Sequence, residues 1–448
     1  MGGACCYAGL ADRRGASMLE RYFGLEEHGT SVRTELLAGL TTFLTMAYIV
    51  FVNPAILSDA GMDFGAVFTV TCVTAALGSG LMGLLANYPI AQAPGMGINA
   101  FFTYTVVLGM GHTWQVALGA VFFAGILFVA ISVLPVREWI INSIPMSLKL
   151  ATSAGIGLFL GLIALQNAGL VVANKETMVS LGDITAPTAM LALAGFVVIA
   201  ALDALKVTGA ILIGILAVTA VGIATGQTGF DGIASLPPDP SPTLFALDLA
   251  DAFDAGLIAV VVAFLITDLF DTTGTLIGVS QQAGLLDEKG RLPRLKRALL
   301  ADSTATVIGA LGGTSPVTSY VESAAGVRAG GRTGLTAVVV AVLFLAALFL
   351  SPLAHTVPSY ATAPALLFVA TMMVKGVADL DWTDVTEYAP GVVLALAMPF
   401  TYSITDGLAL GFITYALLKL ACGRFSEARP AVLVLAAIFI AKYAWLGG

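Results

Sequence analysis

Apolar runs follow one another along almost the whole chain, and short polar stretches separate them. A membrane-spanning helix needs roughly 20 predominantly apolar residues, so runs of about this length predict transmembrane segments. The uninterrupted runs lie at 35–57, 65–86, 114–134, 150–166, 187–202, 207–225, 254–280, 298–312, 333–351, 361–376, 389–404 and 407–421. A last run at 430–446 contains Lys442 and fits either a spanning or an interfacial helix. The pattern predicts an all-α polytopic membrane protein.

Two further pieces are apolar but interrupted. They read NYPIAQAPGMGINAFF at 87–102 and GGTSPVTSYVESAAG at 312–326, with Pro and Gly where a spanning helix should be continuous. They stand third and tenth in a count of about fourteen segments through residue 421. An offset of seven segments makes the second copy enter the membrane from the opposite side, which is an inverted repeat. Paired interrupted segments of this kind point to the binding site of a transporter.

Composition narrows the classes of protein that remain. Of 448 residues, 58% are hydrophobic and 11% are charged, and the mean hydropathy is +0.95, whereas soluble domains are about 25% charged. No basic stretch is large enough to hold nucleic acid, so no nucleic-acid partner is expected. The four cysteines show no metal-ligand spacing, and neither a metal nor a cofactor is expected.

The basic residues predict an orientation. The loop at 281–297 holds five Lys and Arg residues, whereas the loop at 226–253 holds none. Basic loops stay in the cytoplasm, so 281–297 is predicted inside and 226–253 outside. Counting back seven segments places the tail at 1–30 in the cytoplasm as well. Translation starting at Met18 instead of Met1 fits the sequence equally, and the polar-flanked stretch at 137–149 predicts an interfacial segment.

Carboxylates inside the predicted eighth segment are the first candidate site residues. Asp268 lies about 21 Å along a helix from Asp254, well inside the bilayer. Asp271 follows one turn later, and Thr275 extends the same face. A carboxylate at mid-membrane costs about 2.5–3.5 kcal/mol, which favours a functional role. For Asp271 and Thr275 the alternative is a cap at a helix break or a hydrogen bond to a neighbouring helix.

Glu322 lies in the tenth segment, after the stretch VTSY and at the predicted start of a half-helix. Facing Asp268, it would form a site that suits a flat neutral heterocycle with N–H edges. Two neighbouring carboxylates do not both ionise easily, so one of Asp268, Asp271 and Glu322 is expected to carry a proton. The alternative for Glu322 is a buried cap of its own half-helix.

The third segment offers an amide and two aromatic rings. The Asn99 amide has donors and an acceptor, and it serves either to recognise a ligand edge or to brace the two interrupted pieces. Phe101 and Phe102 either stack on an aromatic ligand or pack within the core.

Four stretches together resemble a known family. FGLEEHGTSVRTELLAGLTTFLTMAYIVFVNP, APGMGINAFFTYTV, DLFDTTGTLIG and GTSPVTSYVESAAGVRAGGRTGL are similar to signature stretches of the AzgA-like purine permeases of the nucleobase–cation symporter-2 family. The resemblance runs from about residue 22 to 420. It implies two inverted seven-segment repeats, a core domain that moves against a gate domain in an elevator mechanism, often a homodimer, and import of hypoxanthine, adenine or guanine with protons.

The resemblance also implies roles for individual residues. Asp268, Glu322 and Asn99 match the family's substrate-binding positions in the eighth, tenth and third segments. The main-chain N–H groups of Tyr320 and Val321 match donors toward the base.

The resemblance implies domain boundaries as well. The core domain comprises 31–135 and 254–352, the gate domain comprises 136–226 and 360–421, and 430–446 is an extra helix.

These observations predict a purine importer that is not an enzyme, in the inner (plasma) membrane. The alternative within transport is an anion carrier of the same architecture, for sulfate or bicarbonate. Two carboxylates in the site would repel its substrate. A more distant alternative is an intramembrane aspartyl protease, which has no use for interrupted repeats and lacks a GxGD stretch here.

Overall fold

Helices make up most of the computed structural model, which describes residues 18–134, 144–253, 255–287, 291–425, 427 and 429–445. The first part of the predicted tail, with Cys5 and Cys6, lies outside these residues. So do the start of the predicted interfacial stretch, Asp254 and Lys289.

The helices of the first half alternate with tight turns. In chain order they are α1 (Met18–Phe23), α2 (Val32–Met46), α3 (Ile49–Asp59), α4 (Phe64–Leu81), α5 (Met96–Ala100), α6 (Trp114–Val133), α7 (Met146–Asn167), α8 (Pro187–Ala204) and α9 (Ala210–Ala224). π-helical turns at Met82–Ala86 and Phe101–Gly109 extend α4 and α5.

The second half continues in the same way. Its helices are α10 (Ala255–Gln282), α11 (Leu295–Gly312), α12 (Ser323–Arg328), α13 (Gly334–Ala347), α14 (Ser351–Thr356), α15 (Ser359–Val374), α16 (Val385–Thr401), α17 (Ile404–Ala421) and α18 (Pro430–Trp445). Short 3-10 turns lie at Asp251–Phe253, Leu348–Leu350 and Lys375–Asp379.

The predicted polytopic fold is confirmed. Among the described residues, nine helices are long and apolar enough to cross a membrane, and several more are apolar but shorter. When the short helix α1 is left out, α2 is counted with α3 and α13 with α14, the elements through Ala421 form the fourteen predicted segments.

Two local features differ from the predicted segments. The run at 35–57 is not one helix, because it breaks at Ala47 and Tyr48 between α2 and α3. The stretch between α7 and α8 is a hairpin of two strands, β2 (Val171–Asn174) and β3 (Met178–Leu181). Both features are local changes in the direction of the backbone. Hydropathy averaged over a window of residues does not reveal them.

The interrupted pieces form the centre of the fold. Strand β1 (Gln92–Pro94) precedes α5, and strand β4 (Val317–Ser319) precedes α12. The two strands pair antiparallel, with Gln92 opposite Ser319 and Pro94 opposite Val317. Backbone polar groups at membrane depth must be paired within the protein, and this two-stranded sheet pairs them. The antiparallel register places the start of α5 and the start of α12 at opposite ends of this sheet.

The helices pack in two sets. In the first set, α13 packs against α2 and α4, and α11 packs against α4 and α6. In the second set, α7 packs against α15 and α16, α16 packs against α17, and α8 packs against α9 and α15. The sheet belongs to the first set, since β1 contacts α4 and β4 contacts α11.

The last helix, α18, lies antiparallel along α17. The Phe439 ring is 6.4 Å from that of Phe412, and the Tyr443 hydroxyl donates to Asp406 Oδ1 over 2.6 Å near the start of α17. These contacts extend from the middle of α17 to its start, so α18 packs along α17 in the opposite direction.

Candidate functional site

A cavity of about 600 Å³ lies where the sheet meets the second set of helices. Ligand pockets in proteins typically measure about 300–1,000 Å³, so the cavity has room for a small molecule. The first set of helices and the sheet contribute Tyr48, Asp271 and Glu322, and the second set contributes Lys149, Ile156 and Met373. The candidate site therefore lies between the two sets.

The cavity extends toward one end of the helices. Its lining includes Met146 at the start of α7, Gln282 at the end of α10 and Gly376 just after α15. These helix ends lie on the face that carries the basic loop after α10. The cavity therefore opens toward that face.

Glu322 is fixed at the inner part of the cavity by a tyrosine. The Tyr48 hydroxyl donates to Glu322 Oε1 over 2.6 Å, and Tyr48 itself is fully buried. The break between α2 and α3 brings Tyr48 to this position. The Glu322 side chain makes no cap hydrogen bond to α12, which removes the alternative of a purely structural cap. One carboxylate oxygen thus has a fixed donor.

Asp271 is the second carboxylate of the cavity. It lines the wall together with Thr275, one helical turn further along α10. The predicted proximity of Asp271 and Thr275 to the site agrees with the structure. Their roles in binding and proton coupling stay predictions.

Asp268 does not line this cavity, and the expected pairing of Asp268 with Glu322 is corrected. Asp268 is 3% exposed and lies against α11, where Thr306 donates to its Oδ2 over 3.1 Å. The rotation of α10 turns Asp271 toward the cavity and Asp268 toward α11. The carboxylate that shares the cavity with Glu322 is therefore Asp271.

Asn99 and Phe102 also lie away from the cavity. Asn99 is buried and donates to Asn53 Oδ1 over 3.1 Å, and Asn53 Nδ2 donates to Thr314 Oγ1 over 3.0 Å, so the link from α5 to the second interrupted piece runs through α3. Phe102 is fully buried in the core and does not line the cavity, which agrees with packing, the other role considered for it, and not with stacking on a ligand. The phenylalanine on the cavity wall is Phe270, with Lys149 Nζ 5.8 Å from its ring centroid.

The main-chain donors expected at the tenth segment are only partly available. The Tyr320 N–H donates to Ala91 O over 3.0 Å, which continues the pairing of the strands, so this expected donor is already used. The Tyr320 hydroxyl donates to Pro94 O over 2.5 Å and joins the two interrupted pieces. Val321 is 52% exposed on the cavity wall.

Sequence reasoning missed Tyr48, Phe270, Lys149 and Asp302. Tyr48 and Phe270 stand inside apolar runs, where nothing in the sequence distinguishes a wall residue from a core residue. Lys149 lies in the first turn of α7 and is the last residue of the stretch interpreted as interfacial. Asp302 carried a signal that was available: it is an acidic residue in the predicted ninth segment.

Comparison with known proteins shows which family matches this chain. The model of the Permease family (Xan_ur_permease) matches residues 33–410. The chain is 50% identical over 432 residues to the adenine permease AdeP of Escherichia coli K12, covering 96% of this chain and 97% of AdeP. It is 46% identical over 425 residues to the guanine/hypoxanthine permease PbuO of Bacillus subtilis 168, covering 93% and 98%.

Solved structures share the fold at low sequence identity. The transmembrane domain of a cyanobacterial bicarbonate transporter, BicA, superposes with a TM-score of 0.64 at 18% identity, covering 85% of this chain and 97% of that domain. The murine anion transporter Slc26a9 in its inward-facing state superposes with a TM-score of 0.64 at 11% identity, covering 92% and 74%. At these identities the likeness concerns the fold alone.

Proposed function

The chain belongs to the Permease family, among the AzgA-like nucleobase permeases, and from this premise we propose that it imports purine nucleobases by proton symport. It is a multi-pass membrane transport protein and not an enzyme. The observation that carries the proposal is one cavity, lined by Asp271 and Glu322, in a chain about half identical to an adenine permease. Adenine, hypoxanthine and guanine are the proposed substrates.

The wall of the cavity suits a flat base with N–H edges. Carboxylates accept hydrogen bonds, and an ionised carboxylate accepts them more strongly than a neutral group does. Asp271 and Glu322 can therefore accept from the N–H groups of a purine, while the Phe270 ring offers a face for stacking. The rest of the wall is largely apolar, which favours a ring system over a hydrated ion.

An anion carrier is the alternative function that the shared fold permits. Two carboxylates and one lysine line the cavity, so acceptors outnumber cations there. Such a wall disfavours sulfate or bicarbonate. Competition of purine uptake by unlabelled purines and by sulfate separates the two functions: a purine importer is inhibited by purines only.

The two sets of helices support an elevator mechanism. The core domain at 31–135 and 254–352 carries the sheet and both carboxylates, and the gate domain at 136–226 and 360–421 supplies the opposite wall. Movement of the core against the gate would expose the cavity on alternate faces. The homodimer stays a prediction.

The proposed location is the inner (plasma) membrane, with the N-terminus in the cytoplasm. The contrast between the basic stretch at 281–297 and the loop at 226–253, which has no Lys or Arg, supports this orientation. In that orientation the cavity faces the cytoplasm.

Uptake of radiolabelled adenine and hypoxanthine tests the proposal. We expect Glu322→Gln and Asp271→Asn to abolish uptake while the protein still reaches the membrane, because each change removes a carboxylate acceptor. Glu176→Gln in the exposed β2–β3 turn is the matched control and should transport at the wild-type rate. Full-rate uptake by either cavity variant would contradict the assigned site.

A further inference from the structure

A long connection joins the gate domain to the core domain on the face opposite the opening of the cavity. It runs from the end of α9 to the start of α10 and includes the predicted outer loop at 226–253. Connections longer than about 12–15 residues are uncommon in compact proteins and are usually functional or disordered. The hydrogen bonds of this connection show which of the two domains each part of it follows.

From Asp231 onward, the connection is bound to the core domain at intervals along its length. The bonds join it to the turn after α13 and to α4, α11 and α6; they are Ser235 N–H to Phe349 O (3.0 Å), Thr69 Oγ1 to Pro238 O (2.9 Å), Phe245 N–H to Leu311 O (2.8 Å) and Asp248 N–H to Gln115 O (2.9 Å). Prolines at 237, 238, 240 and 242 stiffen this part, because each proline fixes its φ angle. We call 231–253 the strap, and its contacts make it part of the core domain.

Before the strap, the connection is bound to the gate domain. The hydroxyl groups of Thr228 and Tyr360 share a hydrogen bond of 2.6 Å, and Tyr360 lies on α15 of the gate domain. Thr228 therefore follows the gate and Asp231 follows the core, with Gly229 and Phe230 between them. Both intervening residues are exposed, and a Cβ at Gly229 would meet no atom within 4 Å. The change of domain in this connection falls at these two residues.

A second connection between the domains crosses at the same place. α14 packs against α3 and α4 of the core domain, and after two intervening residues α15 begins in the gate domain. Val357 N–H donates to Ala354 O at the end of α14 over 3.3 Å, whereas Pro358 O accepts from Ala361 N–H in α15 over 2.9 Å. The change of domain in this second connection falls at the bond between Val357 and Pro358.

Hydrogen bonds tie the two crossings to each other on both sides. On the gate side, the bond is the one between Thr228 and Tyr360. On the core side, Asp231 N–H donates to Thr356 Oγ1 over 3.1 Å, and Asp231 Oδ2 lies 2.8 Å from His355 Nδ1. Each domain therefore holds the two crossings together, and the residues at which the chain changes domain lie side by side.

We propose that Gly229–Phe230 and Val357–Pro358 form one hinge, about which the core domain turns against the gate domain, and that the strap moves as a part of the core. Neighbouring Cα atoms stay about 3.8 Å apart, so the crossing at Val357–Pro358 permits rotation but hardly any sliding. Hinges are typically a few loop residues that absorb changes in φ and ψ. The inference rests on the proposed movement of the core against the gate. Because none of these four residues lines the cavity, the hinge governs the rate of transport and not the affinity for the substrate.

Substitution at Gly229 tests the position of the hinge. Gly229→Pro fixes φ at this position and restricts Thr228, so we expect the initial rate of adenine uptake by proteoliposomes to fall several-fold. Equilibrium binding of labelled adenine should stay at the wild-type level, which also shows that the variant folds. Gly229→Ala is the matched control and should keep the rate, since its Cβ has open space. Wild-type uptake by Gly229→Pro would overturn the inference.

Disulfide bonds at two contacts test which parts move together. Each cysteine pair is built in a protein in which serine replaces Cys5, Cys6 and Cys422. The first pair, Ser235→Cys with Phe349→Cys, joins the strap to the core, and its oxidation should leave adenine uptake unchanged. The second pair, Thr105→Cys with Tyr402→Cys, joins the core to the gate, where Thr105 Oγ1 donates to Tyr402 O over 3.3 Å. Its oxidation should stop uptake, and a reducing agent should restore it.

The outcomes separate this inference from the proposed function. If the wild type takes up no purine, the proposed function fails. If the reduced proteins take up adenine and the oxidised Ser235–Phe349 pair does not, the strap does not move with the core and the inference is wrong. Full uptake by the oxidised Thr105–Tyr402 pair would also overturn it, because the core would then not turn away from the gate.

Discussion

Tyr48 and Glu322 show how a single contact defines the candidate site. The Tyr48 hydroxyl donates to Glu322 Oε1 over 2.6 Å, and both side chains line the cavity. A charge-assisted hydrogen bond of this kind fixes the direction of the carboxylate and leaves its other oxygen for a ligand. Tyr48 is thus a positioning residue for Glu322.

The change Tyr48→Phe tests this role. Removal of the hydroxyl frees Glu322 to change rotamer, and a hydrogen bond to a charged group contributes about 1.5–3 kcal/mol. We expect the half-saturation constant for purine uptake to rise about tenfold, which corresponds to about 1.4 kcal/mol, with a smaller change in maximal rate. Tyr360→Phe is the control, since its hydroxyl bonds Thr228 far from the cavity. An unchanged half-saturation constant would show that Tyr48 does not position Glu322 for substrate binding.

For individual residues, the sequence predicted the types of residue at the site better than it predicted where their side chains point. Carboxylates at membrane depth are expensive, so their presence marked α10 and the stretch after β4, and the structure places Asp271 and Glu322 from these two elements on the wall of one cavity. Asp268 and Asp271 stand one turn apart on neighbouring faces of one helix. Which of them meets the cavity depends on the rotation of α10 against α11, and a single sequence contains no measure of that rotation.

Among the contacts between helices, the close approach of α5 to α7 beside the cavity is the main one. Gly97 on α5 and Ile156 on α7 both line the cavity, one from each set of helices. A Cβ at Gly97 would overlap Ile156 Cγ2. The absence of a side chain at Gly97 therefore permits the two sets to come together beside the site.

We expect Gly97→Ala to reduce the rate of purine uptake, because the added methyl group pushes α5 away from α7 in this conformation. The second change Ile156→Ala removes the overlapping Cγ2 and should restore most of the rate. Initial rates of uptake in the single and double variants measure this coupling. Wild-type uptake by Gly97→Ala alone would show that the contact does not matter for transport.

The sequence predicted the membrane segments more completely than it predicted how these segments pair with one another. Hydropathy marks a membrane span because lipid excludes polar side chains, and this physical requirement gave the fourteen segments. Proline and glycine at 87–102 and 312–326 marked the interrupted pieces. The break at Ala47 and Tyr48 and the register of Gln92 opposite Ser319 depend on tertiary contacts, which the sequence does not display.

An ionic cluster at one end of the second set of helices stabilises the molecule as a whole. Lys419 is fully buried and lies 2.7 Å from Glu387 and 2.6 Å from Glu427. Glu387 also accepts from Ser147 over 2.5 Å and from Tyr415 over 3.0 Å. The cluster thereby joins α7, α16 and α17 to the segment before α18.

The change Lys419→Met should lower the thermal stability of the purified protein. It leaves Glu387 without its cation, at a cost of about 1–3 kcal/mol that the half-exposed Glu427 reduces. Lys175→Met, in the exposed turn between β2 and β3, is the control and should melt like the wild type. A thermal unfolding curve of each variant gives the comparison, and an unchanged midpoint for Lys419→Met would contradict this role.

Protection of a single cysteine by a purine shows whether the base binds in the cavity that Asp271 and Glu322 line. Val321→Cys is prepared in a protein from which Cys5, Cys6 and Cys422 have been replaced by serine, while the buried Cys72 is kept. The rate of alkylation at position 321 is then measured with and without adenine. We expect saturating adenine to slow the reaction, and we expect Glu322→Gln to abolish this protection. An alkylation rate that adenine leaves unchanged, in a variant that still transports adenine, would place the purine elsewhere.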